Sequence, residues 1–264
     1  MSGKVCVVTG GSSGIGRCTA AAMRARGFAV YELSRREVPA EGVVHLTADV
    51  TDEAAVDAAI ARVLEREGRI DVLINNAGFG ISGAVEFTEA ADARRQIDVN
   101  FFGMVNVCRA VLPVMRGQGH GRIVNLSSVA GYIPIPFQTF YSASKAAILS
   151  YTMALQNEVR PYGVQVCAVL PGDICTGFTD ARRKSAAGDD VYGGRIGRSV
   201  AGMEKDERTG MSAETAGAQI AAVAVRRKVK PLHVVGPGYR VLVCIAKFLP
   251  ARLLNWAVGL LYAR

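Results

Sequence analysis

The chain has 264 residues, half of them hydrophobic, with 31 basic and 23 acidic residues and a formal net charge of +8. This length and composition exclude a disordered protein and predict one compact domain with a substantial buried core. The six cysteines are scattered and form no C-x-x-C pair, so neither a zinc site nor a disulfide framework is predicted. No other metal site is predicted either.

The positive charge lies at the C-terminal end of the sequence. Glu214 is the last acidic residue, and eight basic residues follow it. The remaining 23 basic residues equal the 23 acidic residues in number, so the chain up to Glu214 is formally neutral. These eight are Arg226, Arg227, Lys228, Lys230, Arg240, Lys247, Arg252 and Arg264. No nucleic-acid-binding motif accompanies them, so we expect no nucleic acid partner and favour an anionic membrane surface or ligand.

The sequence contains no run of twenty apolar residues. Its N-terminus leads directly into a strand-like segment without the layout of a signal peptide. We therefore expect a cytoplasmic protein, either free or peripherally attached to a membrane.

Short apolar segments rich in β-branched residues alternate with helical segments along the chain. The predicted strands are Lys4–Thr9, Ala29–Ser34, Val43–Ala48, Val72–Asn75, Arg122–Ser127, Val164–Val169 and Leu232–Val235. The predicted helices are Gly14–Arg26, Asp52–Glu67, Ala90–Met115, Tyr141–Val159 and Ala213–Arg226. This alternation predicts a single-domain α/β fold of the doubly wound Rossmann type, with a mainly parallel seven-stranded sheet and helices on both faces. The ligand crevice of such a fold lies at the carboxyl ends of the strands.

A glycine-rich turn, Thr9-Gly-Gly-Ser-Ser-Gly-Ile-Gly16, joins the first predicted strand to the first helix. Gly10, Gly14 and Gly16 have the spacing G-x3-G-x-G. Glycines let the backbone approach a pyrophosphate, and a helix N-terminus offers unpaired N–H groups and the positive end of a dipole. In this strand-turn-helix context the motif predicts a dinucleotide site rather than an ordinary tight turn.

The end of the second strand distinguishes between the two nicotinamide dinucleotides. NAD-dependent enzymes commonly have a carboxylate there for the ribose 2′-hydroxyl, whereas this chain has Ser34, Arg35 and Arg36. A hydroxyl and two guanidinium groups suit a 2′-phosphate, so NADP(H) is predicted in preference to NAD(H). The alternative is that both arginines are solvated surface charges. Glu32 lies two positions too early to take the role of the carboxylate.

The glycine-rich turn and Asn75-Asn-Ala-Gly78 after the fourth strand resemble the motifs of the short-chain dehydrogenase/reductase family. The resemblance covers residues 4 to about 176 and implies an oxidoreductase that interconverts a carbonyl and an alcohol. It implies that Asp49 contacts adenine, and that the backbone of Ile174 and Thr176, in Pro171-Gly-Asp-Ile-Cys-Thr176, holds the nicotinamide carboxamide. The predicted cofactor-binding residues are Gly10, Ser12, Ser13, Gly14, Ile15, Gly16, Ser34, Arg35, Arg36, Asp49, Val50, Asn76, Ala77, Gly78, Tyr141, Lys145, Pro171, Gly172, Ile174 and Thr176.

Tyr141 and Lys145 lie at i and i+4 of a predicted helix and therefore on one face. A neighbouring ammonium lowers the pKa of a tyrosine, which makes the tyrosine a usable acid or base. Ser128, thirteen residues before Tyr141, follows a strand that ends in the same crevice. Taken alone, Tyr-x3-Lys is equally compatible with an ordinary surface pair.

The family resemblance extends to the catalytic residues and completes the set with Asn100, Ser128, Tyr141 and Lys145. It implies that Ser128 hydrogen-bonds the substrate oxygen and that Tyr141 protonates it as hydride reaches the carbon. Lys145 is expected to lower the pKa of Tyr141 and hold the nicotinamide ribose, and Asn100 to order a water relay. Two alternatives remain: an NAD-dependent alcohol dehydrogenase, and a catalytically silent dinucleotide sensor.

Residues 1–238 form the predicted catalytic domain. Within it, the stretch 175–211 has no clear periodicity and is expected to be a mobile substrate lid. Residues 239–264 form a basic, amphipathic helical extension, similar to that of steroid, retinol and acyl-dihydroxyacetone-phosphate reductases of the family. The resemblance implies a hydrophobic carbonyl or alcohol substrate, namely a steroid, retinoid or lipid. It also implies a homodimer or homotetramer, formed through the helices that carry Asn100 and Tyr141.

The extension contains two apolar stripes at helical spacing, on either side of Pro250. The first consists of Val241, Leu242, Ile245, Phe248 and Leu249, and the second of Leu253, Leu254, Ala257, Val258 and Leu261. Each segment is too short to span a bilayer. One interpretation is that both helices cover the substrate cleft or a subunit interface, and the other is that they dock on anionic lipid.

Overall fold

The computed structural model describes residues 3–263, so Arg264 of the predicted extension lies outside the described residues. The strands are β1 Val5–Thr9, β2 Ala29–Ser34, β3 Val43–Thr47, β4 Val72–Asn75, β5 Ile81–Ser82, β6 Gly121–Leu126, β7 Val164–Leu170, β8 Ile174–Cys175, β9 Arg183–Lys184, β10 Met211–Ser212 and β11 Leu232–Val234. The helices are α1 Gly14–Arg24, α2 Glu53–Glu67, α3 Ala90–Ile97, α4 Gly103–Gln118, α5 Thr139–Val159, α6 Phe178–Ala181, α7 Arg195–Arg208, α8 Ala213–Ala224, α9 Pro237–Ala246 and α10 Ala251–Tyr262.

Seven strands form the main sheet in the order β11-β7-β6-β4-β1-β2-β3. All neighbouring pairs in this sheet are parallel, so the sheet is fully rather than mainly parallel. The chain leaves β1 towards β2 and later returns to the other side of β1 as β4. This reversal of direction opens a crevice at the carboxyl ends of β1 and β4. The predicted doubly wound fold is confirmed.

Side chains of the central strand alternate between two cores, as the two-residue period of a strand requires. Val5 and Val7 of β1 face one core, which α2, α4 and α5 cover. Cys6 and Val8 face the opposite core, which α1 and α8 cover. Helices therefore pack on both faces of the sheet, which explains why the strands read as continuous apolar runs.

The helix predicted at Ala90–Met115 is divided into α3 and α4 by a π-helical turn, Asp98–Phe102. Taken together, 90–118 is the one segment of the described residues that is long and apolar enough to cross a membrane. Val107, Val111 and Met115 of this segment are completely buried in the core beside the sheet. The helix therefore packs as a core helix of this fold.

The predicted lid is more ordered than its composition indicates. It contains α6, α7 and the short strand β9, which pairs with β5. Ile196 and Met203 of α7 are buried. No helix is predicted here from the sequence, because the surrounding glycines and charges obscure the buried face that these two residues, seven positions apart, give to α7.

The C-terminal extension packs against the end of the sheet near β7. Val243 and Ala246 of α9 and Val258 of α10 are buried in a cluster with Ala168 and Leu170 of β7. The first helix begins at Pro237, which is a favourable residue in a first helical turn. The extension is thus part of the domain rather than a separate tail.

Candidate active site

The glycine-rich turn lies at the carboxyl end of β1, where Gly10 and Gly14 have φ angles of 66° and 50°. The side-chain amide of Asn76 donates to the carbonyl oxygens of Thr9 and Gly10, at 3.0 Å each. The hydroxyl of Thr9 accepts from the backbone N–H groups of Asn76 and Ala77, again at 3.0 Å. The segment after β4 therefore holds the turn in shape, and the side chain of Asn76 acts on the cofactor site through the backbone.

The turn has no room for larger side chains. A Cβ at Gly10 would lie 2.9 Å from the Cα of Ala77, and a Cβ at Gly16 would overlap the carbonyl of Gly10. Ser13 precedes α1 and makes no side-chain capping bond, so the helix end can use its N–H groups for an anion. Ser12 and Ile15 lie in the same turn. These residues fit the pyrophosphate of a nicotinamide dinucleotide.

Ser34, Arg35 and Arg36 lie at the carboxyl end of β2, next to this turn. The hydroxyl of Ser34 donates to the carbonyl of Arg36 at 2.9 Å. The side chain of Arg35 is 65% exposed, and its guanidinium lies 4.0 Å from the carboxylate of Asp49. Because an exposed guanidinium with so distant a partner keeps most of its donors available, it can bind a phosphate.

Asp49 and Val50 follow β3 on the same edge of the sheet. Burial by itself would raise the pKa of the Asp49 carboxyl, but two hydrogen bonds from Thr51 and the charges of Arg35 and Arg95 hold that pKa below its usual value. Asp49 is therefore a carboxylate at neutral pH. Val50 is buried, and its carbonyl accepts from the side chain of Asn106 at 3.0 Å.

Glu32 lies nearer the turn than its sequence position indicates. A Cβ at Gly11 would lie 2.7 Å from the Cβ of Glu32. The Glu32 side chain is buried and pairs with His45, while its Oε2 has no hydrogen-bond partner among residues 3–263. Glu32 and Ser34 share a face of β2 because strand side chains alternate. Counting positions from the strand end did not reveal this buried carboxylate beneath the turn.

Asn100 lies in the π-helical turn between α3 and α4. Its side chain accepts from the N–H of Phe79 and donates to the carbonyl of Phe79 and the hydroxyl of Ser144, each at 3.0 Å. A Cβ at Gly78 would lie 3.1 Å from its Oδ1 and 3.7 Å from the Nζ of Lys145. Asn100, Gly78 and Lys145 therefore meet at one point, in a helix distortion of a kind frequent at functional sites.

Tyr141 lies in the first turn of α5, next to Ser128, which follows β6. Burial raises the pKa of the Tyr141 phenol to about 12, although Ser128 and the charge of Arg182 act in the opposite direction. The sequence predicts a pKa lowered by Lys145. The structure has the opposite shift, because removing the phenolate from water outweighs its stabilising neighbours.

Lys145 is buried, and its ammonium donates to the carbonyl of Leu126 at 2.9 Å. Its Nζ lies 5.7 Å from the centre of the Tyr141 ring. Burial lowers the pKa of Lys145 to about 8. The neighbouring Ser127 donates to the backbone carbonyl of Lys145 at 2.7 Å, so its hydroxyl is already used within the protein.

The segment after β7 returns to the glycine-rich turn. Pro171 accepts from the N–H of Val129 at 2.9 Å, and Ile174 pairs with Met211 in the two-stranded ribbon of β8 and β10. Thr176 lies 3.6 Å from the position of a Cβ at Gly14. The predicted nicotinamide segment and the predicted phosphate site are therefore neighbours.

The lid contributes three residues that the sequence does not single out. The ring of Phe178 packs on Tyr141 with centroids 5.9 Å apart, and the guanidinium of Arg182 lies 5.7 Å from the Phe178 ring centre. Arg182 forms a buried ion pair with Glu207, and its Nε and Nη1 have no partner within the described chain. The sequence signal was weak, since it amounts to an i, i+4 spacing of Phe178 and Arg182 in a segment without a longer period.

Asp173, which the family pattern treats as a variable spacer, contacts the C-terminal extension. Its carboxylate accepts from the phenol of Tyr239 in α9. Burial raises the pKa of Asp173, and Tyr239 counteracts the rise. The ring of Tyr239 covers Gly172, where any Cβ would overlap it. The extension thereby reaches the nicotinamide segment.

Comparisons with known proteins agree with this geometry. The profile of the family described as short chain dehydrogenase matches residues 4–187. Among curated proteins, the 3-ketodihydrosphingosine reductase of Bacteroides thetaiotaomicron is 41% identical over 267 aligned positions, which cover 100% of this chain and 99% of that protein. The similarity therefore continues through α7, α9 and α10, beyond the part that the family profile matches.

Solved structures of the same family have a similar fold. A short-chain dehydrogenase from Streptomyces avermitilis has a TM-score of 0.84 and 32% identity, with 97% of each chain covered. A short-chain dehydrogenase/reductase from Burkholderia phymatum in complex with NAD has a TM-score of 0.79 and 27% identity, with 92% of each chain covered. The architecture is shared with these proteins.

Proposed function

Because the chain belongs to the short-chain dehydrogenase/reductase family, a family of oxidoreductases whose fold binds a nicotinamide dinucleotide, we propose that it reduces the ketone of a long-chain 3-keto sphingoid base with NADPH. The observation that carries the substrate class is the 41% identity to the B. thetaiotaomicron reductase over the whole chain. The aligned positions include the lid, whose Phe178 packs on Tyr141, and the C-terminal helices, whose Tyr239 covers Gly172.

NADPH, when bound, supplies the hydride to the carbonyl carbon. Ser128 donates a hydrogen bond to the carbonyl oxygen, and Tyr141 transfers its phenolic proton to the same oxygen, so that a ketone becomes a secondary alcohol. The phenolate that remains on Tyr141 is stabilised by the Lys145 ammonium, which lies 5.7 Å from the ring centre. Asn100 holds the backbone of Phe79 and the hydroxyl of Ser144 next to Lys145.

The protonation state of Tyr141 fits its role as the proton donor. With a pKa of about 12, the phenol keeps its proton at neutral pH and can act as an acid. Preference for NADPH is supported by the exposed guanidinium of Arg35 at the end of β2.

The test is a steady-state assay of NADPH oxidation with 3-ketodihydrosphingosine, a steroid ketone, retinal and a short aliphatic ketone as substrates. We expect the sphingoid base to have the highest kcat/KM, and NADPH to exceed NADH. The variant Tyr141→Phe should lose turnover and keep its affinity for NADPH, because it lacks the transferable proton but little of the binding surface.

Other outcomes of these assays would identify one of the two alternative functions. A tight NADPH complex without turnover of any carbonyl would identify a dinucleotide sensor. Faster oxidation of alcohols with NAD would identify an NAD-dependent alcohol dehydrogenase. Retention of more than a few per cent of kcat in Tyr141→Phe would remove this residue from the mechanism, whatever the substrate.

We also propose that the protein forms a homodimer or homotetramer through α4 and α5. The rings of Phe101 and Phe102 pack edge to face, with centroids 5.3 Å apart, and Phe101 also contacts Tyr151 of α5. Phe102, in the π-helical turn directly before α4, and Met153 of α5 are exposed, which supports a covered apolar seam in an oligomer. Light scattering at micromolar concentration tests this, and a monomer would contradict it.

A further inference from the structure

The two C-terminal helices leave a large apolar surface uncovered. Fifteen large hydrophobic residues are exposed in the described part of the chain, and seven of them lie between residues 241 and 261. Phe248 is 83% exposed and Trp256 is 61% exposed. We call six of the seven the hairpin face: Val241, Leu242, Ile245, Phe248, Leu253 and Trp256. Such a concentration of apolar side chains marks an interaction surface rather than scattered surface residues.

The hairpin face is separate from the side by which the helices pack on the domain. In α9, Tyr239, Val243 and Ala246 follow each other at i, i+4 and i+7 and turn towards the sheet. The exposed Val241, Leu242 and Ile245 lie on a different side of the same helix, because each residue advances about 100° around the axis. Since the packing side is already satisfied, the hairpin face is left for another partner.

The charge around this face is positive. Arg240, Lys247 and Arg252 are exposed beside it, and no acidic residue follows Glu214 in the sequence. Burial, Asp173 and Asp206 raise the pKa of Tyr262. Tyr262 lies four positions after the buried Val258, so these two carboxylates lie towards the packed side of α10. A partner of the hairpin face therefore meets apolar side chains and cations together.

We propose that the hairpin face docks on the surface of an anionic lipid bilayer. A second copy of the chain fits less well, because two such faces would bring their cations together without a carboxylate between them. Spanning is excluded by length, since α9 has ten residues and α10 has twelve. Helices of this kind lie in the plane of the interface, with apolar side chains inserted and cations at the headgroups.

Docking in this way places the substrate lid next to the lipid. The helix α10 packs against α7 of the lid, and the side chain of Arg195 at the start of α7 donates to the carbonyl of Ala263 at 2.7 Å. On the other helix, Tyr239 covers Gly172 of the nicotinamide segment. The bilayer surface and the crevice are therefore connected by the hairpin, which gives a membrane-resident substrate a short route to Tyr141. The docking itself does not depend on the proposed reaction.

The experiment is vesicle co-sedimentation of the full chain with phosphatidylglycerol/phosphatidylcholine vesicles and with pure phosphatidylcholine vesicles, at low and at 0.5 M salt. Trp256 is the single tryptophan of the sequence, so its fluorescence reports on the hairpin face alone. We expect at least a five-fold larger bound fraction on the anionic vesicles at low salt, a decrease at high salt, and a blue shift of the Trp256 emission on binding.

Two pairs of variants assign the binding to this face. Ile245→Ser with Phe248→Ser should weaken binding at both salt concentrations, whereas Val44→Ser with Val85→Ser, which are exposed elsewhere, should not. Lys247→Gln with Arg252→Gln should reduce binding at low salt at least three-fold, whereas Arg62→Gln with Arg116→Gln should leave it unchanged. NADPH affinity and the far-UV circular dichroism of each variant report whether the domain is folded.

Three results would overturn the proposal. The first is a protein that ignores anionic vesicles at low salt. The second is binding without any change in Trp256 emission, or equal binding by the hairpin variants, since the contact then lies elsewhere. The third is a smaller oligomer in Ile245→Ser with Phe248→Ser and no lipid binding by the parent protein, which would make the face an interface between copies. Tyr141→Phe should bind vesicles like the parent. Vesicle binding therefore tests the hairpin face even if the proposed catalysis is wrong.

Discussion

The ring of Tyr239 lies directly on Gly172, so that a residue of the C-terminal extension covers the segment that follows β7. The phenol of the same tyrosine donates to the carboxylate of Asp173. Glycine is required at position 172 because any Cβ would overlap the tyrosine ring. The extension is thus coupled to the predicted nicotinamide segment by direct contact.

This contact predicts that Gly172→Ala destabilises the protein. Overpacking of this kind costs about 1–3 kcal/mol, and each kcal/mol lowers the Tm of a chain of this size by roughly 2–4 °C. Differential scanning calorimetry measures the change. Gly238→Ala is the matched control, because a Cβ at Gly238 meets nothing within 4 Å. If Gly172→Ala melts like the parent, or if adding Tyr239→Ala recovers none of the loss, the ring does not hold the glycine position.

Replacing Arg35 and Arg36 together by alanine should weaken NADPH binding much more than NADH binding. Each charge-assisted hydrogen bond to a 2′-phosphate contributes roughly 1.5–3 kcal/mol, and NADH lacks that phosphate. Isothermal titration calorimetry with both cofactors gives the two affinities, and Arg62→Ala serves as an exposed-arginine control. Equal weakening for both cofactors would show that the arginines do not bind the 2′-phosphate.

The rate of ketone reduction should fall as pH rises through about 8. Burial disfavours the ammonium of Lys145 and lowers its pKa to about 8. Above this pH, Lys145 therefore loses the charge that stabilises the phenolate left on Tyr141 after proton transfer. Tyr141 still holds its proton there, with a pKa of about 12, and does not cause the decrease. A profile of kcat/KM from pH 6 to 10 should show one descending limb. A flat profile up to pH 10 would contradict this role of the lysine charge.

Arg182→Met should destabilise the protein strongly, because it leaves the Glu207 carboxylate without its cationic partner. The side chain of Arg182 is 1% exposed, and breaking one half of a buried ion pair costs about 3–5 kcal/mol. Arg183→Met is the matched control, since Arg183 pairs with Asp92 at the surface, where such pairs contribute about 0–1 kcal/mol. Urea denaturation compares the two variants. The double variant Arg182→Met with Glu207→Met should be more stable than Arg182→Met alone, and the opposite order would argue against the ion pair as the cause.

Most of the scaffold could be predicted from local sequence. The segments Lys4–Thr9 and Val164–Val169 predict strands, and the glycine-rich turn predicts where the crevice lies, because each of these signals depends on residues close together in the chain. Ser128, Tyr141 and Lys145 belong to this class, since their spacing sets their common position. The structure brings them together as predicted.

Other features depended on residues that are distant in sequence. The ion pair of Arg182 with Glu207 and the contact of Tyr239 with Gly172 form only when α7 and α9 pack on the domain. The sequence around each residue therefore does not predict its contact partner. The direction of the Tyr141 pKa shift also depended on packing, because burial of the phenol outweighs the neighbouring charges.

The C-terminal helices show the same division within one segment. Their sequence alone determined that each helix has an apolar stripe and a basic flank, because helical periodicity is a local property. Only the tertiary structure decided which apolar residues face the domain. It buries Val243, Ala246 and Val258 and leaves Val241, Ile245 and Phe248 exposed. The reason is that the surface against which a helix packs fixes which side of the helix becomes buried.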